Sequence, residues 1–587
     1  MKKNVIKIFI VTVLGAISIS CSDFLDREPA DYASVGFYKS EEAVKTGTEG
    51  VYNSLYINLG YNQPFTITLS TIDALGLERN ENTTIGAGNG LNPDNSMVST
   101  FWQSLYVIIA RANSVLYGSK DYIDILEGKS MQYLAEIRVL RAFAYYNLIA
   151  TYGDVPFFTE PITIDQYKDE RTSKVTVLDF VLTELEEAAS ELPWIADERG
   201  RVDKAVAYGI KARAALLGGS LDYGGKGSEY FRIAANAAQQ VIGQRQLAEN
   251  FGDLFNLTGQ AKADVRNEML FELMYSSSGS KKIHMAAFGQ VSRNTGQTGR
   301  HPSQMLADTY ECIDGKRVDE SPLYNPKRPQ DNRDPRFKYT LSMHGDTVTV
   351  NTGSLVTHVI EAYEAETYFY NYSTNEWELR NNADINSAAA WASFCNAGVG
   401  YIWEKYSKET EENISAQTCN ISILRYAEVL LTYAEAKIEL NELDNSVYDA
   451  INQVRNRAGM PNVSEDRIGS QDKMRQLVRR ERKVELAEEG LHYIDLRRWK
   501  IGDLENGQPS YGLPLPEVRY EGMVATDIPN FKKSDRHDLN DIPSYDAYAS
   551  KLKVRDRNRT WNSKYELWPI PQVERDRNPN LTQNDGY

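Results

Sequence analysis

Two pairs of Ala-rich helical segments lie far apart in this chain, and they read as parts of a helical frame into which other material is inserted. The first pair is "VDKAVAYGIKARAALLGGS" with "EYFRIAANAAQQVIG". Small residues on their facing positions let two helices approach closely, and the pair fits one helix–turn–helix repeat of about 34 residues, the tetratricopeptide period. The second pair, "ISILRYAEVLLTYAEAKIEL" with "SVYDAINQVRNRAG", follows only after a long polar interval and closes at Gly459 and Pro461. The spacing is too broken for a solenoid. It predicts a mainly α fold, a tetratricopeptide-type helical frame with long loop-rich insertions and a few short strands.

Other segments carry the same 3.6-residue period. A helix is expected after Ser40 as N-cap, another from about Ser99 to Gly118, and a third from Met131 to a stop at Gly153. "QDKMRQLVRRERKVELAEEGLHYIDLRRW" reads as one long amphipathic helix with dense i,i+4 charge pairing. The intervening stretches 73–98, 275–303, 318–400 and 505–563 are polar, Gly/Asn-rich or irregular, and loops of such length in an ordered domain are usually functional or disordered. Short alternating runs such as "TVTVNT" predict strands there.

The N-terminus has Lys2, Lys3 and Lys7, then an apolar stretch from Ile8 to Ile19, then Cys21. That is a secretory signal over 1–20, too short and wrongly flanked for a membrane span. A cysteine at the cleavage point predicts lipidation of Cys21, although Ser18 stands where such sites usually have Leu. Without the three signal lysines the net charge of −16 becomes −19, which disfavours nucleic acid and anionic lipid as ligands. Cys312, Cys395 and Cys419 then remain, too few and too scattered for a disulfide framework.

The C-terminal stretch "LWPIPQVERDRNPNLTQNDGY" resembles the closing motif of the SusD/RagB family of outer-membrane nutrient-binding lipoproteins. "FLDREPADYASVGFYKSEEAVKTGTEGVYNSLY", "IRVLRAFAYYNLIATYGDVPF", "ILRYAEVLLTYAEAKIE" with "INQVRNRAGMP", and "RRERKVELAEEGLHYIDLRRW" resemble the same family, in family order along the chain. Asp585 and Trp568 depart from its commoner residues. The resemblance implies an N-terminal helical region over 21–260 and a C-terminal region over 261–587 that carries the ligand-binding loops. It implies no catalysis and no cofactor. It implies a glycan ligand, a lipid anchor in the outer membrane facing outward, and a SusC-like TonB-dependent transporter as partner. Asp23 and Asp26 are similar to the family's surface-export signal. Peptide capture of the RagB kind and a surface endo-glycosidase are the alternatives.

Residue chemistry fits a binding protein better than an enzyme. Glu489-x-x-His492 is half of a di-iron arrangement without its second half, and it is expected to be structural. With six His and no H-E-x-x-H, no zinc site is suggested. "GAGNG" lacks the glycine spacing of a phosphate loop, and no G-x-S-x-G is present. A sugar presents an apolar ring face and a rim of hydroxyls, so recognition asks for flat aromatic rings beside carboxylates, amides or Arg. "YFYNYSTNEWELRNN" offers these. Trp377 is the expected stacking residue, with Tyr372 and Arg380 beside it, Asp73 as hydroxyl acceptor, and Phe288 in a second loop. In an alternating strand Tyr368, Tyr370 and Tyr372 share one face, turned either to a ligand or to the helical body. Trp102, Trp499 and Trp568 are expected in the core.

Overall fold

A computed structural model describes residues 36–60, 63–78, 86, 90–278, 290–325, 328–386, 399–408, 410–515, 542, 543, 545, 549–556 and 558–587. Residues 1–20, Cys21, Asp23, Asp26, Phe288, Cys395 and most of "GAGNG" lie outside the described residues.

Helix α1 (Glu41–Asn53) is capped by Ser40, whose Oγ accepts the Ala43 N–H at 3.4 Å. In α2 (Ser96–Ser119) the cap is Asn95, three to four residues before the expected start. α3 (Ser130–Tyr152) ends at Gly153, whose φ of 76° suits glycine. Nearly every side of α3 is buried, its polar Glu136, Arg141 and Asn147 included. Its Arg141 is fixed by the helices beside it, donating to Glu184 Oε1 at 3.0 Å and Asn113 Oδ1 at 2.8 Å.

Helices α4 (Lys174–Glu191), α5 (Lys204–Ser220) and α6 (Gly227–Val241) continue the stack, each packed on the next. The close approach has a residue-level cause: a Cβ on Gly218 would stand 2.4 Å from Leu178 Cδ2 and 3.2 Å from the Tyr230 ring. Strand β1 (Met269–Leu273) then leads into the insertion. There β2 (Thr347–Asn351), β3 (Leu355–Val359), β4 (Glu366–Asn371) and β5 (Glu376–Asn381) form an antiparallel sheet in the order β5-β4-β3-β2. The chain returns through β6 (Ile421–Arg425), which pairs antiparallel with β1, Ile421 opposite Leu273 and Arg425 opposite Met269.

β6 runs straight into α7 (Tyr426–Glu439), which packs on α5 and α6 and so resumes the stack where it was interrupted. The insertion therefore leaves and rejoins the frame through a buried two-stranded ladder, and the frame is continuous in space while broken in sequence. α8 (Asn445–Arg457) and α9 (Gln471–Glu485) pack on α7.

The expected long helix over 471–499 is corrected. It stops at Glu485 and restarts as α10 (His492–Arg498), with Glu488 at φ 65° and Gly490 at φ 77° between them. A Cβ at Gly490 would lie 2.8 Å from Thr66 Cα, so the chain bends where another backbone comes close. Its charges are not a solvated i,i+4 face either. Arg425, fully buried, donates to Glu268 Oε1 at 2.6 Å, Glu485 Oε1 at 2.9 Å and Glu489 Oε2 at 2.7 Å. Arg498 bonds Glu435 at 2.6 Å and Asp495 at 2.8 Å.

Candidate functional site

The β4–β5 hairpin turns through residues 372–375. Asn375 takes φ 58°, a left-handed position that Asn tolerates, and donates its N–H to Asn371 O at 2.8 Å. Asn371 Oδ1 accepts the Ser373 N–H at 2.9 Å, so the turn is closed by its own asparagines. Pairing sets Trp377 opposite Tyr370 and Leu379 opposite Tyr368.

Strand alternation then sorts the side chains. Thr367 and Phe369 are buried, whereas Tyr368 is 52% and Trp377 46% exposed. Tyr372, beyond the end of β4, joins their side: its ring meets Tyr370 edge-on at 5.0 Å, and Tyr370 meets Trp377 at 5.5 Å. The Tyr372 hydroxyl shares a hydrogen bond of 2.7 Å with Thr357 Oγ1, and Thr357 shares another of 2.7 Å with Thr349 Oγ1. Thr349, Thr357, Tyr370 and Trp377 thus form a row across all four strands, about 14 Å at three inter-strand spacings. The open alternative is resolved: the tyrosine face turns to solvent and not to the helical body.

The opposite face supports this one. Val350 packs with Val291 and Ile414. His358 lies on Phe369 at 5.4 Å between ring centres, and burial lowers its pKa to about 4, leaving it neutral. Beyond β5, Asp384 ties the sheet to the 292–294 turn. Its Oδ2 accepts from Ser292 Oγ at 2.6 Å and Asn294 Nδ2 at 2.9 Å, and its Oδ1 from the Arg293 N–H at 2.7 Å. Burial still pushes its carboxyl up to about 7 against those bonds.

Two expected site residues, Trp377 and Tyr372, are brought together on the aromatic face. Arg380 is corrected. It pairs across the strands with Thr367, on the Phe369 side, where it holds Glu378 at 2.6 Å and lies 5.5 Å from the Phe369 ring. Trp377 and Arg380 are three residues apart in one strand, and odd spacing puts them on opposite faces. Asp73 is corrected as well. It is 2% exposed, and its Oδ1 accepts the N–H groups of Leu75 at 2.8 Å and Gly76 at 3.2 Å. Burial raises its pKa to about 6. Its carboxylate closes a buried turn before residues 76–78, which pair with 300–302, and it offers a ligand almost no surface. The Thr357 hydroxyl went unread, since nothing in "LVTHV" marks it.

The residues expected to be structural are buried. Glu489 donors are Arg425 and Lys405, the latter at 2.9 Å, and His492 Nε2 lies 2.7 Å from Glu505 Oε2. Trp499 donates to Glu435 at 2.7 Å and Trp568 to the Tyr493 hydroxyl at 3.2 Å, while Trp102 packs edge-on to Tyr152. Among the described residues no group of three His, Cys, Asp or Glu is placed to hold a metal ion.

A family model described as "SusD family" matches residues 267–587, and one described as "Starch-binding associating with outer membrane" matches residues 23–216. The chain is 27% identical over 549 residues to SusD-like protein P2 of Formosa agariphila, across 88% of this chain and 97% of that protein. A solved SusD-like carbohydrate-binding protein of Bacteroides fragilis superposes with a TM-score of 0.73 at 24% identity, across 93% of this chain and 100% of that one. A solved laminarin-binding SusD-like protein gives a TM-score of 0.61 at 20% identity, across 94% and 100%.

Proposed function

The chain belongs to the SusD family, and on that premise we propose that it captures an oligo- or polysaccharide at the cell surface and passes it to a SusC-like TonB-dependent transporter. The observation that carries the glycan reading is the solvent-facing row of Tyr370 and Trp377 beside Tyr368 and Tyr372. Its rings meet edge-on, so together they form a faceted surface against which the C–H faces of successive sugar units can rest. Buried Thr357 holds the hydroxyls of half-buried Thr349 and exposed Tyr372, and these two supply the hydrogen-bonding edge that a sugar rim needs.

Cys21 would carry the lipid anchor, with Asp23 and Asp26 directing the protein to the outer surface. The outer-membrane description of the family model matched at 23–216 supports that placement. The test is affinity electrophoresis of purified protein against a polysaccharide panel, with Trp377→Ala alongside. Retardation without new reducing ends, weakened by about 1–3 kcal/mol in the variant, is the expected result. New reducing ends would show a glycosidase, and binding of peptides alone would show RagB-like capture.

A further inference from the structure

The four-stranded sheet has two edges, and they are finished differently. At β2 the edge is covered: Asn351 O accepts the Ile414 N–H at 2.8 Å, and Asn351 Nδ2 donates to Thr410 O at 3.1 Å. β5 pairs with β4 on one side and, among the described residues, with no strand on the other. Alternate backbone N–H and C=O groups along Glu376–Asn381 therefore point to an open edge, a template for another strand.

Leu379 sits within that edge and is 51% exposed. It shares a face with Trp377 but offers a sugar neither a ring nor a hydrogen bond, so the glycan reading leaves it unused. On the other face stand Glu378 and Arg380, both partly exposed and paired at 2.6 Å. Charges on an edge strand ordinarily keep other strands away. Here there is one of each sign, on either side of Leu379, and that arrangement is self-complementary.

Two copies of β5 related by a two-fold axis through Leu379, normal to the sheet, run antiparallel. Residues directly opposite share a face, so Leu379 meets Leu379, Trp377 meets Asn381, and each Glu378 meets Arg380 of the second copy. The two ion pairs become a square of alternating charge. Moving the axis by one residue either way sets Glu378 against Glu378 or Arg380 against Arg380, and like charges directly opposite are destabilising. One register is selected.

We infer that β5 is a self-association strand, through which two copies of this chain join edge to edge and their sheets continue into one of eight strands. Tyr368 and Leu379 of one copy then adjoin Leu379 and Tyr368 of the other, and both aromatic faces look the same way. The inference stands on the edge and not on the glycan reading, which needs only one copy. One strand pair is smaller than a standard interface, so the copies separate in dilute solution. Held on one surface by the proposed anchor, they meet at high local concentration.

The test is disulfide trapping in whole cells that express the full chain with Leu379→Cys. Cβ atoms directly opposite on paired strands lie about 4.5–5.5 Å apart, close enough for diamide oxidation to join the two thiols. A species of twice the chain's mass is expected on a non-reducing gel, lost on reduction. Leu355→Cys, 42% exposed but on β3, two strands away from β5, should give none, and neither should the wild type. Adding Glu378→Arg to Leu379→Cys should lower the trapped fraction about fivefold, the scale of two exposed ion pairs lost. Adding Arg380→Glu as well should restore it, because the charges are then exchanged on both copies. Thermal melts of these variants keep a folding defect apart from a pairing defect. The inference is overturned if Leu379→Cys traps no more than Leu355→Cys, if the charge reversal has no effect, or if the exchange does not restore trapping. A trapped species of another mass would mean that β5 takes a strand from a different protein, and would overturn self-pairing too.

Discussion

Buried charge is handled in opposite ways by the frame and by the inserted sheet region. In the frame's Arg425 and Lys483 networks, carboxylates meet cations, although Asp73 elsewhere in the frame is raised by burial. Burial penalises Glu505, yet Lys483 and His492 hold its carboxyl down to about 2, and Arg425 and Lys405 likewise hold Glu489 below the ordinary carboxylate range. In the insertion, burial prevails. Asp384 is pushed up to about 7 and Asp346 to about 6, each among neutral donors, and Glu404 to about 7 although Lys408 lies 3.5 Å away. An ion network that locks helix to helix suits a scaffold, because removing one partner strands the others. A sheet held from behind by valines and neutral hydrogen bonds keeps its outer face available for a ligand.

The comparison is broken most directly at Arg425. Replacing it with Met leaves Glu268, Glu485 and Glu489 short of a shared cation in a fully buried site. The expected loss is about 3–5 kcal/mol of stability, read from urea unfolding. Trp377→Ala, about half exposed in the wild type, should leave the same unfolding curve in place. Equal losses in the two variants would end the division into scaffold and binding face.

The two kinds of buried carboxyl, raised and lowered, should also separate by pH. The Asp384 carboxyl is raised in the folded state from an ordinary 3.8 to about 7. Between those values the folded chain holds more protons than the unfolded one, so this contribution is present below pH 4 and is lost as pH rises through 7. Asp346 and Glu404 act in the same direction, and so does Asp73 in the frame. Glu505 acts oppositely: its contribution stands above pH 4.5 and is lost as pH falls toward 2. Stability is therefore expected to peak near pH 4–5 and to decline by on the order of 1–3 kcal/mol toward pH 8. Thermal melts across that range test this, and Asp384→Asn should flatten the decline.

The frame was legible because 3.6-residue periodicity, small facing residues and the Ser40 and Gly153 signals are local, and local signals survive in sequence. That Tyr368, Tyr370 and Tyr372 share one face was legible for the same reason, through period 2, but the direction of that face was not. What was not legible depends on distant partners. The bend at Glu488–Gly490 is fixed by Thr66, more than four hundred residues away, and the charges of that motif find partners such as Arg425 and Glu435 outside it. Asp73 opens a polar stretch and reads as a surface acceptor, yet the strand after it pairs with residues 300–302 and draws the turn inside. Asp73→Ala is accordingly expected to cost about 1–3 kcal/mol of stability by stranding the Leu75 and Gly76 N–H groups, with glycan affinity unchanged. Loss of affinity in a variant of wild-type stability would return Asp73 to the site.

The smallest effect is expected at Arg380, and it sharpens the comparison within the sheet itself. Arg380 and Trp377 are neighbours in sequence and similarly exposed, so a reading by proximity would give them one role. Register separates them. Arg380 stands across from Thr367 and bonds Glu378 on the Phe369 side, while Trp377 stands across from Tyr370 on the other. An exposed pair of this kind contributes about 0–1 kcal/mol to stability and reaches no ligand on the aromatic face. Arg380→Ala should therefore shift glycan affinity by less than about 0.5 kcal/mol while Trp377→Ala shifts it by about 1–3. Calorimetry on the two single variants and the double variant measures both terms. Coupling above about 0.5 kcal/mol between them would mean that the ligand wraps the edge strand and touches both faces, and the one-sided platform would have to be abandoned.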